Sequence, residues 1–558
     1  MLEELARKYA LQNAVLHDGR ADPGSVIGKV IAAKPELKKE IKDIIPVIRK
    51  VVEEVNCLPL DAQKKMLVAQ APELIPKKRE KKIALTDLPD VEGEVVMRFA
   101  PGPSGPLHLG HTRAAVLNDE YVRRYRGKYW IRIEDTNPAK IDPEAYDLII
   151  EDLKWLGVDY HEMLIQSDRL DIYYDHAAKL LETGKAYICQ CDVEDWRGAK
   201  LRMKPCPHRN LETGAQLEMW EKMLGGEFEE HEASFVVKTD LSHPNPAVRD
   251  FVGARIVKTP HPRTGEKYIV YPLYNFSVAI DDHLTKMTHV LRGKDHLNNT
   301  YRQEFIFQHF GWVKPVYLHY GLVQMEDVTL KTTVIREGIA KGEFSGWDDV
   351  RLATLKALAR RGIQPGAIRR YWMEVGIKEV DIRFSWDNLF AYNKDIVDSK
   401  ANRYFFVWDP RQVSIKGTKR LEGHAPLHPD HPERGIRETV LSGDETVCLF
   451  LTSDDMEKAT AGEKLRLKDL CNIKLVSKSQ ADYFGDDLSL VKEGVRIVHW
   501  VGENSIPTKL YMPDGTVMEG KTEKILDADF GSVVQFERLG FVRVEKKNGG
   551  YEAYFAHR

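Results

Sequence analysis

The stretch from Arg98 to Asp119, RFAPGPSGPLHLGHTRAAVLND, leaves this chain few ways to fold. Val95 and Val96 read as the end of a buried strand, Pro101 to Pro106 cannot lie inside a helix, and Thr112 to Tyr125 has the apolar spacing of a helix packed on a sheet. His108, Gly110 and His111 therefore stand where a helix begins. There the unpaired backbone N–H groups and the positive end of the dipole favour an anion, and Gly110 lets a nucleotide come closer than a Cβ would allow. A triphosphate is the natural guest. H-x-G-H alone is a four-residue pattern, and two histidines so spaced are more often solvent-facing residues or stray ligands, so its weight comes from its surroundings.

Residues 1–90 read as a separate helical appendage, with Pro35 to Val55 helical in pattern. The run Lys77-Lys78-Arg79-Glu80-Lys81-Lys82 reads as a solvated tether in preference to an RNA contact. From 91 to 344 strands alternate with helices, as in a parallel nucleotide-binding sheet, and a mixed insertion interrupts them at 186–280. Residues 345–403 are helical, Asp349 to Arg361 most clearly so. From 404 to 558 the short β runs FFVWD, TVCLFL, GVRIVHWV and GFVRVEK are separated by Gly, Pro and Asp, which suggests two small barrels. A chain of 558 residues has room for about three to five such domains.

No apolar run approaches a membrane span, and MLEELARKYA is an amphipathic helix rather than a signal peptide, so the cytoplasm is the default. A net charge of −3 does not announce a nucleic-acid binder, so any RNA contact must come from local basic faces. Six cysteines in so long a chain argue against a disulfide framework. Three of them cluster: Cys189-x-Cys191 followed by Cys206-x-His208 favours a structural zinc over unliganded thiols and a surface histidine. Cys57, Cys448 and Cys471 are isolated and read as ordinary buried residues.

The segment P-x-P-S-G-P-L-H-L-G-H preceded by R-F-A resembles the first signature of class I aminoacyl-tRNA synthetases, in its glutamyl and glutaminyl branch. That branch's next landmark, R-I-E-D-T-N-P, follows at Arg132 to Pro138. Gly346-Trp347-Asp348-Asp349 with Arg351-Leu352, and Arg403 to Pro410 (RYFFVWDP), are similar to the helical segment and the barrel entry of the archaeal glutamyl type. The resemblance implies a multidomain α/β architecture: a Rossmann-type catalytic domain in two halves (91–185 and 281–344), an inserted acceptor-end-binding domain (186–280), a helical stem-contact domain (345–403) and two anticodon-binding β-barrels (404–558). It also implies glutamate–tRNA ligase activity, with ATP and L-glutamate as substrates, Mg²⁺ on the leaving pyrophosphate, tRNA(Glu) as partner, and activation that requires bound tRNA. Whether tRNA(Gln) is charged too stays open, and a monomer is the default for the branch.

Activating glutamate requires holding its side-chain carboxylate and α-amino group while the α-carboxylate stays free to attack phosphorus. Arginine's fork suits the first task and an acid the second. By similarity Glu134 is the acid, Arg98 and Ser104 lie in the pocket, and Tyr274 in Y-P-L-Y-N-F and Arg292 in V-L-R-G-K-D-H occupy pocket positions on later elements. The related glutaminyl enzymes carry a neutral residue in place of Arg292, and a buried arginine left unpaired should reject a neutral amide. The resemblance assigns the nucleotide to Pro101, Gly102, Pro103, Ser104, His108, Gly110 and His111 of the first signature, and to Lys331, Thr332 and Thr333 of a K-M-S-K-S-like loop, with His108, His111 and Lys331 as the catalytic groups. Two positions depart from the family pattern. Val334 stands where the loop's more important lysine belongs, with Lys331 and the neighbouring Arg336 available to compensate in part, and Gly102 stands where asparagine is usual.

Two rivals use the same residues differently. A small nucleotidyltransferase also carries H-x-G-H, but it has no use for the C-terminal β region or the Glu134, Tyr274, Arg292 set, and that region also argues against a truncated synthetase relative that modifies tRNA. A glutaminyl enzyme, or a synthetase-like RNA-binding protein with impaired catalysis, is the alternative that Arg292 and Val334 respectively bear upon.

Overall fold

The computed structural model describes residues 2–17, 19–71, 74, 85–326 and 328–558; the basic run at 77–82 lies outside them. Two compact units are present, Met1–Ile83 and Ala84–Arg558. In the first, helices α1 (Leu2–Leu16), α2 (Pro23–Ala33), α3 (Ile41–Asn56) and α4 (Leu60–Gln70) bury Ala6, Ala10, Val26, Val30, Ile48 and Val52. Asp22 caps α2 by accepting from Ser25 N–H at 2.7 Å, with Pro23 at the first helical position. Cys57 is exposed rather than buried, because it falls in the turn after α3; Cys448 is half-buried and Cys471 buried.

Residues 85–90, grouped above with the appendage, belong to the second unit, where Leu85 and Leu88 join its main core. Strand β1 is Val96–Phe99, so the apolar pair begins the strand instead of ending it. After it come α5 (Leu109–Tyr125), β2 (Lys128–Ile133), α6 (Ala145–Trp155) and β3 (Glu162–Ile165). β1 pairs β2 and β2 pairs β3, both in parallel. Much later β8 (His289–Gly293) and β9 (Val316–Tyr320) pair in parallel, and Thr288 exchanges bonds of 3.0 and 2.9 Å with Val96, which brings β8 beside β1. The strand order thus runs β3, β2, β1, β8, β9, and it reverses between β1 and β8. Ligands of open α/β sheets sit at the carboxyl ends of the strands where the order reverses.

The insertion lies between α7 (Leu170–Glu182) and α10 (Tyr274–Leu284). It is an antiparallel sheet of β4 (Ala186–Cys189), β5 (Ser234–Val237), β6 (Phe251–Ile256) and β7 (Val270–Pro272), with α8 (Val193–Leu201) and α9 (Thr213–Leu224) between β4 and β5. Trp220, Phe235 and Tyr271 fill its core. Beyond β8, α11 (Leu297–Phe310) leads to β9, and α12 (Thr332–Ala340) follows the second loop. Helices α13 (Leu355–Arg361), α14 (Pro365–Val375) and α15 (Trp386–Val397) follow. The sequence pattern suggests helix from Asp349, yet α13 starts at Leu355. Asp349 is spent accepting from Ser345 and Arg351 N–H, and the backbone of Ala353 and Leu355 is bonded elsewhere.

Besides a two-stranded ribbon, Arg420–Pro426 with Ile436–Ser442, the C-terminal region forms two seven-stranded sheets. In one, the strands at the two edges are Arg403–Tyr404 and Phe406–Trp408, separated in the chain by Phe405 alone. In the other the edges are Arg496–Val498 and Val501–Gly502. A sheet whose edges are neighbours in sequence must curl until they meet, which makes both sheets barrels without a long free edge. No helix among the described residues is long and apolar enough to cross a membrane.

Candidate active site

The turn after β1 and the start of α5 are built by the two histidines. His108 is the N-cap of α5: its Nδ1 accepts from Gly110 N–H at 3.1 Å, while His111 Nδ1 accepts from His108 N–H at 3.3 Å. This reciprocal capping starts α5 at Leu109, earlier than the Thr112 suggested by apolar spacing. The rings stack at 3.7 Å. A Cβ on Gly110 would lie 3.0 Å from His108 Cε1, so a larger residue would press on the capping ring. Burial lowers His108 to about 2 and His111 to about 4, so both are neutral at pH 7. With both Nδ1 atoms accepting, each proton sits on Nε2, and each ring offers one N–H donor.

A strap from the helical segment pins this turn from below. Leu109 N–H donates to Ala353 O and Leu355 N–H to Leu107 O, both at 2.9 Å. Asp152 of α6 accepts from Leu107 N–H at 2.7 Å, and burial pushes its carboxyl up to about 7. On the other side Glu134 N–H donates to Pro101 O at 3.0 Å, which ties the turn to the acidic end of β2. At Gly102 a Cβ would meet only Glu134 O at an ordinary 3.6 Å, so the departure from asparagine is not forced by space.

The second loop lies against the first. Ser104 Oγ and Thr332 Oγ1 are 3.0 Å apart, and Leu330 Cδ1 reaches within 3.7 Å of where a Gly110 Cβ would stand. Lys331 is exposed at the N-cap of α12, and Thr333 is exposed beside it. Val334 is 48% exposed, and Arg336 is engaged with Ser104 O and Asp142, so it is not a free cation for phosphate.

A cavity of about 350 Å³ opens at the switch point between β1 and β8, lined among others by Arg98, His111, Glu134, Tyr274 and Arg292. Ser104, placed in the amino-acid pocket by similarity, is not among its walls and faces Thr332 instead. Arg292 is buried; it donates to Tyr274 Oη at 3.3 Å, Thr300 Oγ1 at 2.6 Å and Gln303 Oε1 at 2.9 Å. Its Nε has no partner, and no carboxylate pairs with it among the described residues. Glu134 accepts from Arg132 Nη2 at 3.0 Å, and burial raises its carboxyl above the usual range against the pull of Arg132 and Arg98.

Sequence reasoning missed Asp282. It is fully buried, with Arg132 at 2.6 Å and Arg98 at 3.4 Å from Oδ1, while Oδ2 is unpartnered. Burial works against its charge, but the two arginines outweigh burial and hold it below the usual range. The sequence marks it only as the second of two consecutive acids, Asp281-Asp282, in a helix that also buries Asn275 and Ser277, and says nothing of its partners. Counting Arg113 and the rim residue Asp295 as well, four arginines face three carboxylates, which leaves one positive charge in excess. A larger cavity of about 970 Å³ lies behind α6 between α13 and the last barrel strands, lined by charges of both signs, and contains none of the signature residues.

In the insertion, one ligand atom from each of Cys189, Cys191, Cys206 and His208 lies within 4.8 Å of the others. Cys189 and Cys206 sulfurs are 3.8 Å apart, and Cys191 Sγ is 3.3 Å from His208 Nδ1.

The family description "tRNA synthetases class I (E and Q), catalytic domain" matches residues 94–399, and the corresponding anti-codon binding domain matches 401–486. The curated glutamate–tRNA ligase of Methanocaldococcus jannaschii is 46% identical over 564 residues, covering 100% of both chains. That of Methanoculleus marisnigri is 48% identical over 567 residues, covering 100% of this chain and 99% of its own. That of Pyrococcus furiosus is 46% identical over 573 residues, covering 100% of both. With the H-x-G-H turn, the switch-point cavity and the paired barrels in place, and with this identity running from end to end, the chain belongs to the glutamate–tRNA ligase family of class I aminoacyl-tRNA synthetases.

Proposed function

We propose that this chain is a glutamate–tRNA ligase: it forms glutamyl-adenylate from L-glutamate and ATP and passes the acyl group to the terminal adenosine of tRNA(Glu). The observation that carries this is Arg292, a buried guanidinium facing a ligand-sized cavity with an unpartnered Nε and no protein carboxylate. A ligand carboxylate supplies the missing charge, whereas a neutral amide leaves the arginine unpaired, at a cost of several kcal/mol in a buried site. Tyr274 orients the fork, and Glu134, backed by Arg132, accepts the α-ammonium.

The two helix ends supply the nucleotide site. The α-carboxylate attacks the α-phosphorus in line, pyrophosphate leaves, and the 2′-hydroxyl of the terminal adenosine takes the glutamyl group, so no protein nucleophile is needed. His108 and His111 act as neutral Nε2–H donors to phosphate oxygens; as half-buried neutral groups they stabilise developing charge by hydrogen bonding rather than as cations. The N–H groups at the start of α5 are taken by its caps and by the strap, so the helix-end contribution comes from α12, whose N-terminus no side chain caps, and Lys331 provides the mobile positive charge. Val334 cannot donate. No carboxylate cage lies at the helix ends among the described residues, so Mg²⁺ would arrive on the phosphates, its usual habit.

The Cys/His group fits zinc. Bonds of about 2.3 Å to sulfur place two thiolates of a tetrahedron ~3.8 Å apart, the separation found between Cys189 and Cys206. Zinc there would staple the loop between β4 and β5. The chain is read as a cytoplasmic monomer, and charging of tRNA(Gln) as a property to be measured.

Purified tRNA(Glu) and tRNA(Gln), each offered with labelled glutamate or glutamine and ATP, test the reading. Glutamate on tRNA(Glu) supports it, and glutamate on tRNA(Gln) adds the wider range. Glutamine attached in preference would move the chain to the glutaminyl alternative, and no attachment to either RNA would leave only an RNA-binding role.

A further inference from the structure

Thr332 and Arg336 are one turn apart on α12 and share a face. That face is turned to the first loop. Thr332 Oγ1 meets Ser104 Oγ at 3.0 Å, and Arg336 Nη2 donates to Ser104 O. The same guanidinium lies 3.3 Å from an Asp142 carboxylate oxygen. Asp142 belongs to the same construction: its N–H donates to Pro103 O at 2.8 Å, and its other carboxylate oxygen accepts from Glu144 N–H at 3.1 Å. Arg336 therefore bridges three segments, namely α12, the turn at 101–106 and the approach to α6. The apolar side of α12 is seated as well. Ile335 is fully buried with Ile339, Phe344, Trp347, Leu352 and Ala357, and Trp347 packs so closely on Gly105 that a Cβ there would lie 3.0 Å from its ring.

We propose that Arg336 is a positioning residue, a latch that holds the second nucleotide loop on the first before ATP arrives; this rests on reading the two loops as the triphosphate site. The N-terminus of α12, with Lys331, then faces the same space as the N-terminus of α5. Ordering a loop in advance removes a cost that ligand binding would otherwise bear, so apparent affinity scales with the fraction of molecules already closed. Arg336 touches no substrate in this account. Its charge acts on Asp142 and on the Ser104 carbonyl.

The test compares the parent enzyme with Arg336→Ala, Arg336→Lys, Asp142→Asn and the Arg336→Ala/Asp142→Asn pair. One readout is the rate of tryptic cleavage after Lys331 without ligands, and the other is KM for ATP against KM for tRNA. The latch predicts cleavage and KM for ATP each rising about tenfold in Arg336→Ala and Asp142→Asn, with KM for tRNA unchanged. It predicts a double variant no worse than the more impaired single one, and substantial recovery in Arg336→Lys. Cleavage and KM for ATP within twofold of the parent in both single variants would overturn it. So would a joint rise in KM for ATP and for tRNA with a lowered Tm, since that pattern marks a merely structural residue. If the parent charges no tRNA, the ligase reading fails while the cleavage rates still decide on the latch.

Discussion

Two buried charge clusters in the second unit have opposite bookkeeping. Behind the switch-point cavity, Arg98, Arg132 and Arg292 face Glu134 and Asp282, and one positive charge is left over. Between the C-terminal barrels, Arg437 pairs with Glu523 and Glu537, Lys468 pairs with Glu537, and the count closes at two against two. The barrel cluster borders a cavity of about 150 Å³, yet its charges are met within the protein: Glu523 accepts from Phe405 N–H, and Arg437 lies 4.6 Å over the Phe405 ring. A balanced cluster meets each of its charges within the protein, so removing one partner strands another, whereas an unbalanced one leaves its arginine on neutral acceptors until an anion comes. The comparison separates a charge kept for architecture from a charge kept for a substrate.

The largest effect expected from breaking the comparison is at Arg292. Arg292→Gln keeps a donor and removes the surplus charge, and kcat/KM for glutamate should fall about a thousandfold, or ~4 kcal/mol, while Tm stays level or rises. Labelled-glutamate charging and a thermal melt measure both; a loss under tenfold would mean that the surplus charge is not what selects the substrate. Glu523→Gln is the mirror experiment. It removes one carboxylate from the balanced cluster and should destabilise the barrels by about 3 kcal/mol while KM for glutamate stays within twofold. Equal damage to glutamate binding would erase the distinction between the two clusters.

A smaller effect is expected at the loop that serves the unbalanced site. Val334 is exposed on α12, so lysine can be installed there without disturbing the buried face that carries Ile335. Val334→Lys should raise the rate of adenylate formation about tenfold by adding a charge-assisted contact to phosphate. A rate equal to the parent's would show that Lys331 and the two helix ends already meet the need.

What could be read in the sequence divides along the same line. The H-x-G-H turn, the Cys/His pairs and the β runs after residue 404 were legible because each is local: a few adjacent residues state the turn, the ligand spacing or the strand period. The start of α5 was misplaced because histidine is not among the usual caps, and only the geometry shows His108 and His111 capping one another. Asp282 and the strap at Ala353 and Leu355 were not legible. Their partners lie 150 or more residues away, at Arg132, Leu107 and Leu109, and no spacing rule links them. The helix suggested from Asp349 failed in part for the same reason: Asp349 is held locally by Ser345 and Arg351, while Ala353 and Leu355 are committed to that distant strap.

The smallest effect concerns the histidines, and it is an absence of change. Histidine in an unfolded chain titrates near 6.5, but burial holds His108 and His111 far lower, so between pH 8 and pH 6 the folded rings should stay neutral. Below about pH 6.5 the unfolded chain binds protons that the folded pair refuses, so acid lowers stability through these two residues instead of raising it. In protein carrying isotope-labelled histidine, the ring resonances of both should stay flat across that range, with the nitrogen shifts of a proton on Nε2. A titration near 6.5 in either ring, or a proton found on Nδ1, would mean that the caps at Gly110 and His108 are broken. The imidazoles would then meet the triphosphate as cations, and the nucleotide end of the site, like the glutamate end, would hold its positive charge in reserve for a ligand.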